Sequence, residues 1–199
     1  MTARLSDDLQ ALLARADGRE LTIGQIIDTL HGRGFNVFVA FLVLPFCQPI
    51  PLPGISMPFG LVLLLYGFRV AIGREPWLPR RLLDVRISYP VLSKLVAAGS
   101  VLARWIERLI KPRLRAFTAA PPVRIVNGLA IMASAFVFML PLPIPLSNAI
   151  PAWAVLLVCL GMLQEDGAAM IAGYVATLAA WLYVGGLLWA GNAGLQRVF

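Results

Sequence analysis

Residues Leu44 to Phe68 read LPFCQPIPLPGISMPFGLVLLLYGF, and residues Leu140 to Leu163 read LPLPIPLSNAIPAWAVLLVCLGML. Each proline removes an amide donor and its ring clashes with the preceding helical turn, so neither run can form one continuous helix. Inside a bilayer, irregular backbone persists only where protein or a water-filled cavity satisfies its polar groups. The two runs therefore predict proline-broken helices, a pattern typical of transport sites in membrane proteins.

The two runs also match each other, which indicates an internal duplication. The matched pairs are Ile50–Leu52 with Ile144–Leu146, Pro58 with Pro151, and Gly67 with Gly161, with a slip of one residue. The helical halves beside the first break, Phe35–Leu44 and Phe59–Ile72, are shorter than the roughly 20 apolar residues of a full crossing, which favours a re-entrant hairpin or two tilted short spans. The pattern leaves open whether the two repeats are inverted or parallel. Analogy with transporters favours inversion, whereas a connector that stays in the cytoplasm would not supply the odd number of crossings that inversion needs.

Composition places the chain in a membrane. Of its 199 residues, 59% are hydrophobic and 14% are charged, and the mean hydropathy is +0.81, outside the balance of soluble domains. From Ala168 to Ala190 no residue is charged over 23 residues. This run is long enough to cross about 30 Å of hydrocarbon at about 1.5 Å per residue. Charges are spread through residues 1–33, so no cleavable signal peptide is expected there.

The positive charge is concentrated between Arg69 and Arg124. This stretch has twelve Lys or Arg against three Asp or Glu, a net charge of +9, in a chain of formal net charge +7. The positive-inside rule places such a connector in the cytoplasm and predicts a multi-pass membrane protein, with no nucleic-acid partner. Cys47 and Cys159 have no metal-ligand spacing around them, so neither a metal nor a cofactor is predicted.

Together these patterns predict an all-α integral membrane protein with five segments. Interfacial amphipathic helices, one of them capped by Thr22, precede two broken-helix hairpins that a basic amphipathic connector joins. A C-terminal transmembrane helix and tail complete the chain. The predicted bounds are 1–33 for the interfacial helices, 34–72 and 123–163 for the hairpins, 73–122 for the connector, and 164–199 for the last helix and tail.

Five separated motifs add a family resemblance. They are LPFCQPIPLPG (Leu44–Gly54), GREPWLPRR (Gly73–Arg81), ERLIKPR (Glu107–Arg113), PLPIPLSNAIPA (Pro141–Ala152) and GMLQEDG (Gly161–Gly167). In this order they resemble the ExoD family of bacterial exopolysaccharide-synthesis membrane proteins, from about Leu21 to the C-terminus. The resemblance implies a link to surface or exported polysaccharide and supplies no reaction.

The two breaks predict an anion site. Half-helices that open at Pro58 and Pro151 would present unpaired amides and the positive end of the helix dipole, which suits a phosphate group. Small and polar residues of the breaks would line the site, and Arg69 could add a positive charge or anchor the helix at the interface. The lining residues predicted are Gly54, Ser56, Ser147 and Asn148.

Glu165 and Asp166 form the acidic pair at the start of the last span. Either can cap that helix and match its dipole, and the alternative is a proton-coupling carboxylate. The sequence has no nucleophile–base pairing, metal cluster or phosphate loop, so we expect no enzyme activity.

The favoured function is a small inner-membrane transporter or lipid-translocating protein whose central site holds a phosphate-bearing lipid carrier such as a polyprenyl phosphate. Two alternatives remain open. One is a non-transporting scaffold that binds polysaccharide synthesis or export proteins, and the other is an ion or proton exchanger. The expected partners are membrane lipids and those proteins, and a homo-oligomer is compatible with the pattern.

Overall fold

The computed structural model describes residues 5–29, 34–48, 56–74, 80–94, 96–97, 100, 114, 118, 120–140, 144 and 146–195. This part of the chain is almost entirely helical, as predicted. The helices are α1 (Leu5–Ala16), α2 (Ile23–Thr29), α3 (Gly34–Val43), α4 (Ser56–Ala71), α5 (Arg80–Leu83), α6 (Pro121–Met139), α7 (Ala149–Gln164) and α8 (Gly167–Leu195). A 3-10 turn at Leu44–Cys47 follows α3, residues 89–94 are also helical, and two short strands are β1 (Leu21–Thr22) and β2 (Arg86–Ile87).

Two of the described helices are long and apolar enough to cross a membrane. They are α6, with a mean hydropathy of 1.6, and the first 24 residues of α8, with a mean hydropathy of 1.7. Helices α4 and α7 have 16 residues each, about 24 Å of helix and less than a full hydrocarbon core. Val175, Leu182 and Trp189 of α8 are 62%, 67% and 75% exposed. This long apolar surface indicates membrane association.

Helices α3 and α4 lie antiparallel. At one end, the Tyr66 hydroxyl of α4 donates to Oδ1 of Asn36 near the start of α3. At the other end, Phe46 of the 3-10 turn meets Phe59 in the first turn of α4, edge to face, with ring centroids 5.3 Å apart. The break between these helices therefore lies opposite the end where α3 begins.

Helices α4 and α6 are also antiparallel and meet at small residues. A Cβ built on Gly67 would lie 2.8 Å from the carbonyl oxygen of Gly128, and one on Gly60 would lie 3.3 Å from that of Ala135. The break after α6 thus lies at the same end as the break before α4. The expected inverted arrangement is therefore wrong, because the connector between the two helix pairs begins and ends on one side of the bundle.

Helix α7 occupies the centre of the bundle. It contacts α3, α6, α8 and the 3-10 turn, and 11 of its residues are buried. A helix that is apolar on every face needs such an environment. Helix α8 returns antiparallel to α7. Gly161, near the end of α7, closely approaches the backbone of Met170 in the first turn of α8, and the earlier residue Val158 of α7 is approached by the later residue Gly173 of α8.

The N-terminal region is hydrogen-bonded to the connector through two short strands. Strand β1 pairs antiparallel with β2, which places Leu21 opposite Ile87. The Gln25 amide donates to Oγ1 of Thr22 at 3.2 Å, and the Thr22 amide donates to Oε1 of Gln25 at 2.9 Å. This capping box starts α2, so the predicted cap at Thr22 is confirmed. Leu12 of α1 is 1% exposed and packs in the same hydrophobic core as α3.

Candidate functional site

The two proline-rich breaks converge around the 3-10 turn. Phe46 of this turn contacts Phe59 of α4 and also Phe138 near the end of α6, with ring centroids 4.8 Å apart in the second pair. Nε1 of Trp153, in the first two turns of α7, donates to the carbonyl oxygen of Cys47 at 3.0 Å. The ends of the helices beside both breaks are therefore brought together at one end of the bundle.

Asn148 is the most informative residue of this region. It immediately precedes α7, makes no side-chain cap hydrogen bond and is only 7% exposed. Within the part of the chain that the structure describes, its Oδ1 atom is buried without a hydrogen-bond partner. Buried polar atoms are nearly always paired, and an unpaired one costs about 1–3 kcal/mol. An unpaired carboxamide oxygen at a helix start marks a place where a ligand could donate a hydrogen bond.

The backbone around Asn148 corrects part of the predicted anion site. Helix α7 begins at Ala149, so Pro151 is its third residue and not its first. The Ile150 amide donates to the Leu146 carbonyl and the Ala152 amide to the Asn148 carbonyl, both at 3.1 Å. These two amides are therefore already paired, because the turn before α7 supplies carbonyl acceptors. The positive end of the helix dipole remains at this place.

The other predicted lining residues have different outcomes. Ser147 is buried, and its hydroxyl donates to the Ile144 carbonyl at 2.8 Å, which stabilises the turn before α7. Ser56 is the buried first residue of α4, and Pro58 is an exposed third residue of the same helix. Gly54 lies outside the described residues.

Arg69 is not part of this region. It lies in the last turn of α4, 13 residues after Ser56, which is about 20 Å along the helix axis. Gly73 follows two residues after α4, and a Cβ built there would meet the guanidinium group of Arg124. Arg69 therefore lies at the connector end of the bundle, and its alternative role as an interface anchor stays a prediction.

Glu165 and Asp166 lie at the same connector end, between α7 and α8. Oδ1 of Asp166 accepts hydrogen bonds from the amides of Ala168 at 2.9 Å and Ala169 at 3.3 Å. Asp166 is thus the N-cap of α8. Glu165 is exposed in the left-handed conformation with φ of 53°, and it ends α7. Of the two roles predicted for this pair, the structure shows the capping role for Asp166.

Sequence reasoning missed a buried polar seam between α6 and α8. The Tyr174 hydroxyl donates to Oδ1 of Asn127 at 2.6 Å, and the hydroxyls of Ser134 and Thr177 lie 3.0 Å apart. Such pairs hold membrane helices together. The available signal was the spacing of Asn127 and Ser134, seven residues apart on one face of an apolar helix. Within the described ranges, no three His, Cys, Asp or Glu side chains are grouped as metal ligands.

Comparisons with known proteins identify a family for this chain. A family model described as "Exopolysaccharide synthesis, ExoD" matches residues 5–186. Protein ExoD of Rhizobium meliloti (strain 1021) is 36% identical over 199 residues, which cover 98% of this chain and 83% of that protein. Uncharacterized protein slr1875 of Synechocystis sp. (strain ATCC 27184 / PCC 6803 / Kazusa) is 29% identical over 175 residues, covering 87% of this chain and 82% of that protein. No solved structure matches.

Proposed function

Since the chain belongs to the ExoD family, which is involved in exopolysaccharide synthesis, we propose that it transports or translocates a phosphate-bearing lipid carrier in the bacterial inner membrane. The carrier is an anionic lipid such as a polyprenyl phosphate, and the protein performs no catalytic step on it. The observation that carries this proposal is the buried Oδ1 of Asn148 at the start of α7, which has no hydrogen-bond partner among the described residues.

The chemistry at Asn148 indicates how the head group is recognised. Oδ1 is an acceptor, so its ligand presents a donor, which a protonated phosphate or a hydroxyl of an attached sugar can supply. The N-terminal end of the α7 dipole favours the negative charge of the phosphate beside it. A polar head group can therefore be held at a depth where water is scarce.

The helix contacts support a duplicated architecture as part of this proposal. Helix α3 packs on α7, and α4 packs on α6. The first helix pair is α3 with α4, and the second is α6 with α7. Exchanging the pairs converts the contact of α3 with α7 into the contact of α6 with α4, as a two-fold axis along the membrane normal requires. Pro58 and Pro151 each occupy the third position of their helix. The matched glycines differ, since Gly67 approaches α6 whereas Gly161 approaches the start of α8.

The direction of the helices supports a topology. Because α4, α6 and α8 have their connector ends on one side, the basic residues there face the cytoplasm and both breaks face the periplasmic half of the bilayer. In this arrangement the lipid head group enters from one leaflet and reaches Asn148 between the converging breaks.

A translocation assay tests the proposal. Purified protein is reconstituted in liposomes that contain a fluorescent polyprenyl phosphate, and a membrane-impermeant quencher reports the fraction of the probe in the outer leaflet. With wild-type protein, we expect the quencher to reach nearly all of the probe. In protein-free liposomes, the probe in the inner leaflet should stay protected from the quencher. A wild-type protein that is inert toward polyprenyl phosphate would favour the scaffold interpretation.

A further inference from the structure

An apolar cavity of about 220 Å³ lies beside α3. The described residues that line it are all apolar, and they come from α1, α2, α3, the 3-10 turn, β2, the helical residues of the connector and the first turn of α4. Residues that define its walls include Leu12, Ile26, Val37, Phe41, Phe59 and Leu92. The breaks and Asn148 alone do not explain this cavity, because six of its thirteen described lining residues lie on α1, α2, β2 and the connector, outside the two broken helix pairs.

The cavity is elongated and ends at the first break. Along α3 and the turn that follows, its wall extends from Gly34 to Pro45, 11 residues or roughly 16 Å at about 1.5 Å per residue. At its far end it is lined by Phe59, whose ring contacts Phe46 at the convergence of the two breaks. One end of the cavity therefore adjoins the region that contains the candidate head-group site, with the ring of Phe59 between them.

The lining determines which ligand fits. A cavity lined by apolar side chains offers a water molecule few hydrogen-bond partners, so it favours an apolar ligand. An empty cavity also forfeits the dispersion contacts of its walls. In a membrane protein, the apolar groups present at high concentration around such a cavity are lipid hydrocarbon chains.

We infer that this cavity binds the hydrocarbon chain of the same lipid whose head group reaches Asn148. The inference rests on the proposed function and adds a second, separate contact to it. The chain lies along α3, between the N-terminal helices and the connector, with its head-group end at the break. The N-terminal helices thus form one wall of the chain site.

The test compares two probes, farnesyl phosphate and inorganic phosphate, on full-length protein in lipid nanodiscs. Ile26→Trp fills the cavity from the α2 side, and Leu61→Trp, at a position 49% exposed on α4, is the matched control. We expect Ile26→Trp to weaken farnesyl phosphate binding at least about tenfold, while phosphate binding stays unchanged and Leu61→Trp behaves as wild type. Unchanged farnesyl phosphate affinity in folded Ile26→Trp would overturn the inference.

A crosslinking experiment covers the case in which Ile26→Trp does not fold. A farnesyl phosphate with a photoreactive group at the chain terminus is bound to wild-type protein, and mass spectrometry locates the adducts. Adducts on α2, α3 or residues 92–96 support the chain site, and adducts confined to the exposed face of α8 refute it. Asn148→Leu separates the two proposals: retained farnesyl phosphate binding in that variant refutes the head-group site and leaves the chain site standing.

Discussion

The close contact between α4 and α6 predicts that adding a side chain to one of its glycines lowers the stability of the protein. In this contact the backbones meet, since a Cβ built on Gly128 would lie 2.5 Å from the carbonyl oxygen of Gly67. Ordinary van der Waals contact begins at 3.4 Å, so the helices must separate by the difference, 3.4 − 2.5 = 0.9 Å. A gap of this size forfeits roughly a quarter to a half of each affected dispersion contact. We therefore expect Gly128→Ala to lower the free energy of unfolding by about 2–3 kcal/mol.

The matched control for this change is Gly185→Ala in α8. No atom lies within 4 Å of a Cβ built there, so only the helix propensity of alanine contributes, a gain of about 1 kcal/mol or less. Both variants make the same chemical change within a helix, and their difference therefore isolates the packing of α4 against α6.

The assay is reversible unfolding of the purified protein in mixed micelles, followed by helical circular dichroism. Gly128→Ala should unfold at a lower denaturant fraction than wild type, and Gly185→Ala at the same or a higher one. Equal stability of the two variants would show that α4 and α6 do not approach as closely as the structure has them.

Three further predictions follow from the helix ends and the polar seam. Asp166→Asn should keep the α8 cap and wild-type activity, whereas Asp166→Ala should lose about 1 kcal/mol of unfolding free energy; loss of proton-coupled transport in Asp166→Asn alone would favour the exchanger. A double-mutant cycle of Tyr174→Phe and Asn127→Ala should give a coupling of about 0.6 kcal/mol, and a value near zero would contradict their hydrogen bond. In a background without native cysteines, an impermeant periplasmic reagent should label Leu146→Cys and not Arg80→Cys, and the reverse pattern would invert the topology.

Local features of the fold were predictable from the sequence. The prolines of the two runs mark where the helices break, and Thr22 caps α2 as its position before Ile23 predicts. The acidic pair before the last span likewise contains the N-cap of α8, Asp166. In each case the physical cause lies within a few residues of the effect, since a cap or a proline acts on its own helical turn.

Features that depend on distant parts of the chain were not predictable in this way. The direction of the second helix pair follows from packing of Gly67 on Gly128, 61 residues apart by their numbers (128 − 67), and an analogy with transporters gave the wrong answer. Arg69 follows the break in sequence, yet the length of α4 places it at the opposite end. The start of α7 precedes Pro151 because the Leu146 carbonyl accepts an amide that the sequence alone would leave unpaired.

The partnership of Asn127 with Tyr174 illustrates the same limit. The two residues are 47 positions apart, and only the parallel packing of α6 and α8 brings them together. By contrast, Asn148 could be selected from its own sequence context, a carboxamide within a proline-rich break. Its unpaired oxygen became visible only with the structure around it.

Asn148→Leu tests the central claim most directly, because stability and binding should change in opposite directions. Leucine has nearly the same shape and removes a buried acceptor that lacks a partner, so the ligand-free variant should be more stable by up to about 1–3 kcal/mol. The measurement is the midpoint of thermal unfolding with and without farnesyl phosphate. We predict a higher midpoint than wild type without ligand and a smaller increase than wild type on adding farnesyl phosphate. A lower ligand-free midpoint together with a wild-type increase on adding farnesyl phosphate would contradict the account.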